Sequence, residues 1–230
     1  MLSMHPIPTL PRCAGEGAWW HRPVSARRGE VCGVWRVRLF VDFARRCSIS
    51  VSRFANSGYA AAMSDIPTIA EAAKLIAARK LSPLELTRAC LDRVRALDGA
   101  LHSFLLLTEE RALADAQAAE AAIMANGPRG RLHGIPIGLK DIVDTKGIRT
   151  TCHSAILRDN VPDTDATCAT KLAEAGTVLM GKTATHEFAD GGPSFDLPWP
   201  PARNPWNTEH FTAGSSSGTG AGVAAGLIRR

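Results

Sequence analysis

The chain has 230 residues, of which 45% are hydrophobic, and a formal net charge of +5. No stretch approaches the 18 uncharged apolar residues of a transmembrane helix, so a membrane protein is not expected. The six cysteines lack C-x-x-C spacing, which argues against a zinc site or a disulfide framework and is typical of a cytoplasmic protein with reduced thiols. The length suits one or two domains.

The first 62 residues differ in composition from the rest of the chain. They hold nine arginines and no lysine and have a net charge of +6. The other 168 residues have a net charge of −1. An Arg-rich, acid-poor start is typical of a transit peptide, and the alternative is an extension upstream of a true start at Met63. We therefore predict a poorly ordered leader or spurious extension over residues 1–62 and a folded domain over residues 63–230. The folded part has no basic excess, so a nucleic-acid-binding surface is not expected.

Apolar periodicity predicts three helices within residues 68–126, with Thr68 as the cap of the first. The clearest start signal is Ser82-Pro83-Leu84-Glu85, in which serine caps the helix, proline takes the first position and glutamate reaches back to the cap. A short strand over residues 102–107 precedes the third helix. That helix ends at Asn126-Gly127-Pro128, because glycine and proline terminate helices.

Short strands then alternate with helices in the part of the domain that spans residues 132–230. Strands are predicted at residues 135–140 and 177–180, with a helix over residues 165–175 between them. The expected fold class is therefore α/β, with part of a mixed β-sheet covered by helices and preceded by a helical segment. Residues 191–207 contain five prolines and are predicted to form an ordered loop or lid.

Lys140 is the first candidate for chemistry. Strand alternation places it on the same face as Gly138 and opposite the aliphatic side chains of its strand. A lysine at the end of an apolar strand beside glycine has little water around it, and a neutral amine can act as a general base. The alternative is that Lys140 reaches solvent or pairs with Asp141. His133, by contrast, is expected to lie at the surface or in a loop.

The second candidate is the segment Ala213-Gly214-Ser215-Ser216-Ser217-Gly218-Thr219-Gly220-Ala221-Gly222. Glycines let backbone amides converge on one point, which is how an oxyanion or a phosphate is bound. The three serine hydroxyls add donors and a route for proton relay. A phosphate-binding loop would need a lysine followed by serine or threonine after its last glycine, and that lysine is missing. Taken alone, the segment is also compatible with a low-complexity linker.

Together the two motifs resemble those of the amidase signature family, whose members cleave amides with a Ser–Ser–Lys triad. The resemblance extends from about Ser64 to the last residue and includes Gly134-Ile135-Pro136 before Lys140-Asp141, Gly181-Lys182-Thr183 before Glu187-Phe188, and Asn204-Pro205-Trp206. It implies that Lys140 is the triad lysine. It also implies that Ser215 is the bridging serine, held through a cis peptide bond. The residues expected to shape the loop or support an oxyanion are Gly214, Ser216, Ser217 and Gly218.

The chain departs from the family pattern in two ways. Ala213 and Ser217 stand where family loops often have glycine, and Gly222 stands where alanine is common, which are mild changes. More seriously, the family's nucleophile lies in an Asp-Thr-Gly-Gly-Ser-like motif that would fall beyond Arg230. We therefore expect residues 63–230 to be a truncated, partial amidase domain that is inactive by itself.

The resemblance implies an amidase that converts a carboxamide to a carboxylate and ammonia or an amine through an acyl-enzyme. It implies no metal or organic cofactor, a small-molecule amide as substrate, no membrane partner, and a homodimer when full length. Residues 191–207, with Trp199 and Trp206, would then line the substrate channel. The alternative is the glutaminase component of a tRNA-dependent amidotransferase, which shares the triad but works inside a complex; only then is a nucleic-acid partner expected.

Overall fold

The computed structural model describes residues 67–229, so the predicted leader over residues 1–62 lies outside the described part of the chain. The helices are α1 (Ile69–Ala77), α2 (Pro83–Leu101), α3 (Glu109–Asn126), α4 (Thr167–Glu174) and α5 (Ser217–Ala224). The strands are β1 (Phe104–Leu107), β2 (Pro136–Lys140), β3 (Val178–Thr183), β4 (Arg203–Asn204) and β5 (Asn207–Phe211). Within residues 67–229, no helix is long and apolar enough to cross a membrane.

The first two helices begin with the capping interactions that the sequence predicts. The Glu71 carboxylate accepts from the Thr68 backbone N–H at 2.8 Å, and the Thr68 side chain accepts from the Glu71 N–H at 3.3 Å. Ser82 Oγ likewise accepts from the N–H groups of Leu84 and Glu85 at 3.0 and 3.2 Å. Each cap contributes about 1 kcal/mol, because it satisfies N–H groups that have no partner inside the helix.

A three-stranded mixed sheet in the order β1-β3-β2 forms the centre of the described domain. β3 runs antiparallel to β1 and parallel to β2, with α4 as the crossover between the parallel pair. The α/β fold class is therefore confirmed. β3 extends to Thr183, three residues beyond its predicted end at Met180, because it is the central strand and pairs on both edges.

Helices cover the two faces of this sheet. On one face, α2 and α3 pack against alternate residues of β3, and this cluster comprises Cys90, Leu91, Val94, Leu101, Ala112, Ala116, Val178, Met180, Ala225, Leu227 and Ile228. On the other face, α4 packs against a cluster of Leu139, Ile148, Ala169 and Leu179. The sheet is thus enclosed by helices, and the end of β2 and the start of α5 are brought to the same region of the domain.

His133 lies in a turn, as the loop alternative of the prediction has it, but it is buried and not at the surface. Its side chain is 2% exposed, and its ring packs on Gly176, where a Cβ atom would lie 2.3 Å from the ring. Nδ1 accepts a hydrogen bond from the Arg129 backbone N–H at 3.1 Å. Burial, with a smaller contribution from the Arg129 charge, lowers the pKa of His133. The sequence did not indicate this burial, because the glycine that makes room for the ring is distant in sequence.

Residues 191–202 contain no helix or strand, as their prolines predict. The rest of the predicted loop is more regular, because β4 and β5 form a short antiparallel hairpin. Trp199 packs against the body of the domain, with the Arg149 guanidinium 5.8 Å from its ring centroid and the His153 Nε2 atom 3.1 Å from its carbonyl oxygen. Trp206, between the two strands, is exposed.

Candidate active site

The two sequence motifs meet at a single hydrogen bond. Lys140 Nζ donates to Ser215 Oγ at 2.7 Å, although the residues are 75 positions apart. Lys140 is the last residue of β2, and Ser215 lies two residues before α5. Both side chains are partly buried. The structure therefore brings together the lysine and the serine for which the sequence predicts a shared role.

The pairing of β2 with β3 fixes the direction of Lys140. Lys140 lies opposite Thr183 in the parallel ladder, and the next residue, Asp141, donates its backbone N–H to the Thr183 carbonyl oxygen at 3.0 Å. Gly138 shares the face of Lys140, and a Cβ atom there would approach Thr183 Cγ2 to 2.7 Å. The glycine therefore permits the close packing beside the lysine.

Asp141 does not pair with Lys140, so that alternative is wrong. Its Oδ2 atom accepts from the Thr151 N–H at 2.9 Å and from the Thr151 hydroxyl at 2.6 Å, and its Oδ1 atom lies 3.6 Å from Lys182 Nζ. The side chains of Asp141 and Lys182 are 1% and 0% exposed. Because the carboxylate is already matched by another cation, the Lys140 amine is left for Ser215.

Lys182 is the centre of this buried polar network, and no separate role for it was predicted from the sequence. Its ammonium donates to the Val143 carbonyl oxygen at 2.7 Å and to the Thr150 hydroxyl at 2.5 Å, and thereby holds the turn that follows β2. Burial lowers the pKa of Lys182, and the neighbouring Asp141 opposes the shift. The sequence feature that could have indicated this role is a lysine inside a strand that is otherwise buried. A buried charge requires a partner, so such a lysine implies a polar network around it.

The serine loop is built on close backbone contacts. The Gly214–Ser215 peptide bond is cis. The Ser215 carbonyl oxygen accepts from the backbone N–H groups of His186 at 3.0 Å and of Ser217 at 2.9 Å. Gly218 donates its N–H to the Ala184 carbonyl oxygen at 2.9 Å, and a Cβ atom at Gly218 would lie within 2.3 Å of two backbone atoms.

The other residues of the serine loop contribute to the shape of the site rather than provide free hydrogen-bond donors. The N–H groups of Ser217 and Gly218 are already bonded inside the protein, which fits a role in loop shape and leaves neither free for an oxyanion. Ser216 is exposed and immediately precedes α5. The Thr219 hydroxyl lies 2.9 Å from that of Thr183, so α5 is tied to the same residue that pairs with Lys140.

His186 is a second residue whose role was not predicted from the sequence. Its ring lies against Gly214, and no Cβ atom could be accommodated there. Within the described residues, no group of three or more His, Cys, Asp or Glu side chains could hold a metal ion. The signal for His186 was weak, because its contact partner lies 28 residues later in the chain.

A lysine amine bonded to a serine hydroxyl is the arrangement by which one class of hydrolases activates serine without histidine. Residues 85–229 match the family described as Amidase, and the chain belongs to this amidase signature family of amide-hydrolysing enzymes. The resemblance seen in the sequence is thereby confirmed.

Curated relatives include the A subunits of glutamyl-tRNA(Gln) amidotransferase from two bacteria. The protein from Acidothermus cellulolyticus is 44% identical over 165 residues, which are 71% of this chain and 33% of the relative. The protein from Azotobacter vinelandii is 47% identical over 161 residues, which are 70% of this chain and 33% of the relative. The chain therefore spans about a third of the length of these relatives.

Solved structures of amidases share the fold. The peptide amidase of Stenotrophomonas maltophilia superposes with a TM-score of 0.65 and 33% identity, covering 70% of this chain and 34% of the other. A bacterial aryl acylamidase of the amidase signature family gives a TM-score of 0.64 and 28% identity, covering 70% and 34%. The described domain thus has the architecture of the corresponding part of these enzymes.

Proposed function

We propose that the intact protein hydrolyses a carboxamide to a carboxylate and ammonia or an amine through a Ser–Ser–Lys triad. Lys140 acts as the base, and Ser215 relays the proton. The observation that carries the proposal is the 2.7 Å contact between Lys140 Nζ and Ser215 Oγ. Membership of the amidase family supports the reaction class.

The proposed reaction begins with two proton transfers. The Lys140 amine accepts the proton of the Ser215 hydroxyl, and Ser215 accepts the proton of the attacking serine. The attacking oxygen bonds to the amide carbon, and the tetrahedral intermediate collapses as the C–N bond breaks. The leaving nitrogen receives the proton back through Ser215. Water then gives a proton to Ser215 and bonds to the acyl carbon, the C–O bond to the attacking serine breaks, and that serine regains its proton through Ser215 as the carboxylate is released.

The attacking serine is assigned by the family resemblance to the Asp-Thr-Gly-Gly-Ser-like motif that would follow Arg230. Because the chain spans about a third of its curated relatives, the whole protein's activity is a proposal. Residues 67–229 contribute the base, the relay and the packing that holds them.

The test is amide hydrolysis by the full-length protein, with ammonia release as the readout. We expect Lys140→Met and Ser215→Ala each to lower kcat by about 10²-fold or more, since positioned acid–base catalysis contributes about 10²–10⁴-fold. Lys146→Met, at an exposed lysine, is the matched control and should retain activity. Wild-type turnover by Lys140→Met would refute the proposal.

A second candidate is glutamine hydrolysis within a tRNA-dependent amidotransferase, and the names of the curated relatives favour it. The same lysine and serine would then release ammonia from glutamine for a partner protein of the complex. The two candidates separate when the full-length protein is assayed with glutamine and with simple amides, alone and with candidate partner proteins. Ammonia from glutamine only in the complex supports the amidotransferase; turnover of simple amides by the protein alone supports the independent amidase.

We also propose a cytoplasmic location and a small-molecule amide substrate for either candidate. In the described part of the chain, Cys90, Cys152 and Cys168 are all free, which fits a reducing compartment. The homodimer remains a proposal for the full-length protein, and sedimentation equilibrium is the measurement that checks it.

A further inference from the structure

His186 is a buried histidine three residues beyond the end of β3. Its side chain is 7% exposed, and Nδ1 lies 3.0 Å from the Gly191 carbonyl oxygen. A carbonyl oxygen can only accept, so Nδ1 carries the hydrogen in this contact. Nε2 is buried and has no hydrogen-bond partner among residues 67–229. The ring is therefore oriented by one bond and otherwise held by packing.

The packing partner of the ring is Gly214. A Cβ atom at this position would lie 2.2 Å from Cε1 and 2.3 Å from Nε2 of His186, so only glycine fits while the imidazole is present. The backbone N–H of His186 also donates to the Ser215 carbonyl oxygen at 3.0 Å. His186 thus contacts both residues that form the Gly214–Ser215 peptide.

These contacts bear directly on the Ser215 hydroxyl. Its 2.7 Å bond to Lys140 Nζ would be lost if the loop moved by about 1 Å, because hydrogen bonds extend to only about 3.2 Å. We propose that His186 is a positioning residue: its ring, oriented by Gly191, sets the place of the Gly214–Ser215 peptide so that Ser215 meets Lys140. His186 acts through Ser215 and does not touch the reacting atoms.

The His186 Nε2 atom has no hydrogen-bond partner among the described residues, which argues that the ring does more than fill space. Burying an acceptor without a partner is unfavourable, and a phenylalanine ring would fill the same volume without that penalty. What phenylalanine cannot supply is the Nδ1–H donor to Gly191. The contact with Gly191 therefore explains the histidine, and the contact with Gly214 explains how its orientation reaches Ser215.

The first test uses His186→Ala and His186→Phe in the full-length protein. The role rests on the proposed catalysis by Lys140 and Ser215. We expect kcat to fall by about 10–100-fold, with KM within about twofold of the wild-type value, because displacing a reacting group by about 1 Å has an effect of this size. His186→Asn, which keeps an N–H donor near the Nδ1 position, should recover part of the loss. His210→Asn, at an exposed histidine of β5, is the matched control.

A double-variant cycle tests the contact itself. Gly214→Ala alone should be severely impaired, because its methyl group collides with the ring. In the His186→Ala background the methyl group has space, so the double variant should be more active than Gly214→Ala alone. Purely additive losses would overturn the proposed contact. Melting temperatures, measured for every variant, ensure that kcat is compared only among folded proteins.

The outcomes distinguish this role from the proposed function. If Lys140→Met is inactive and His186→Ala retains wild-type kcat, or loses only thermal stability, the positioning role is refuted and the triad stands. If Lys140→Met is active, the triad fails, and a crystal structure of His186→Ala decides the positioning role independently. Displacement of Ser215 Oγ from Lys140 Nζ supports it, and an unchanged 2.7 Å contact overturns it.

Discussion

Replacing Lys182 with methionine should remove much of the stability of this domain, because it leaves a buried carboxylate without its cation. Asp141 and Lys182 are 1% and 0% exposed, and their charged atoms lie 3.6 Å apart. Removing one member of a buried pair costs about 3–5 kcal/mol. Lys182→Met also removes the donor that binds the Val143 carbonyl oxygen and the Thr150 hydroxyl. Since domains are stable by about 5–15 kcal/mol, the loss is a large fraction of the total.

The double variant Lys182→Met/Asp141→Asn separates charge from packing. It removes both charges, and asparagine keeps an oxygen that can accept from Thr151. We therefore expect it to be less destabilised than the sum of its single variants by about 2 kcal/mol or more.

Urea denaturation of each variant, followed by circular dichroism, measures these free energies of unfolding. Lys146→Met, at an exposed lysine in the same turn, is the control and should stay within about 0.5 kcal/mol of wild type. A loss below about 1 kcal/mol for Lys182→Met, or strict additivity in the double variant, would refute the reasoning.

Two further predictions concern stability elsewhere in the domain. Burial lowers the pKa of His133 below its ordinary value of 6.5, so the unfolded chain binds the proton at a higher pH than the folded chain does. The free energy of unfolding should therefore be at its full value above about pH 6.5 and should decline as the pH falls through that value. Denaturation at pH 7.5 and 5.5 checks this, and an equal pH effect in His133→Asn would contradict it. Gly218→Ala should cost about 1–3 kcal/mol because its methyl group meets backbone atoms, whereas Gly220→Ala, with open space, should be neutral or stabilising by up to about 1 kcal/mol; equal melting temperatures for the two would be the contrary result.

Local signals in the sequence predicted local structure well. The caps at Thr68 and Ser82 depend on residues within three positions, and both capping boxes are present. Strand alternation also predicted the face of Lys140, because a strand's side-chain period does not depend on its neighbours. The end of β3 was predicted too early, since its extension to Thr183 comes from hydrogen bonds to two other strands.

Contacts between distant residues account for what the sequence did not predict. The burial of the His133 turn was not expected, because nothing near it indicates the space above Gly176, 43 positions later. His186 was overlooked for the same reason, as its partner Gly214 belongs to another motif. The meeting of Lys140 and Ser215 was expected only because the family resemblance supplied the long-range information that periodicity lacks.

Thr183 contacts both of the elements that position the site, β2 and α5. It pairs with Lys140 through the β2–β3 ladder, and its hydroxyl contacts that of Thr219 in α5, the helix that follows Ser215. A change that moves Thr183 together with β2 and α5 should preserve the spacing between Lys140 and Ser215. A change that tilts α5 alone should move Ser215 relative to Lys140. Substitutions that shift the sheet as a unit should therefore be tolerated better than substitutions along α5, the helix that adjoins the serine loop.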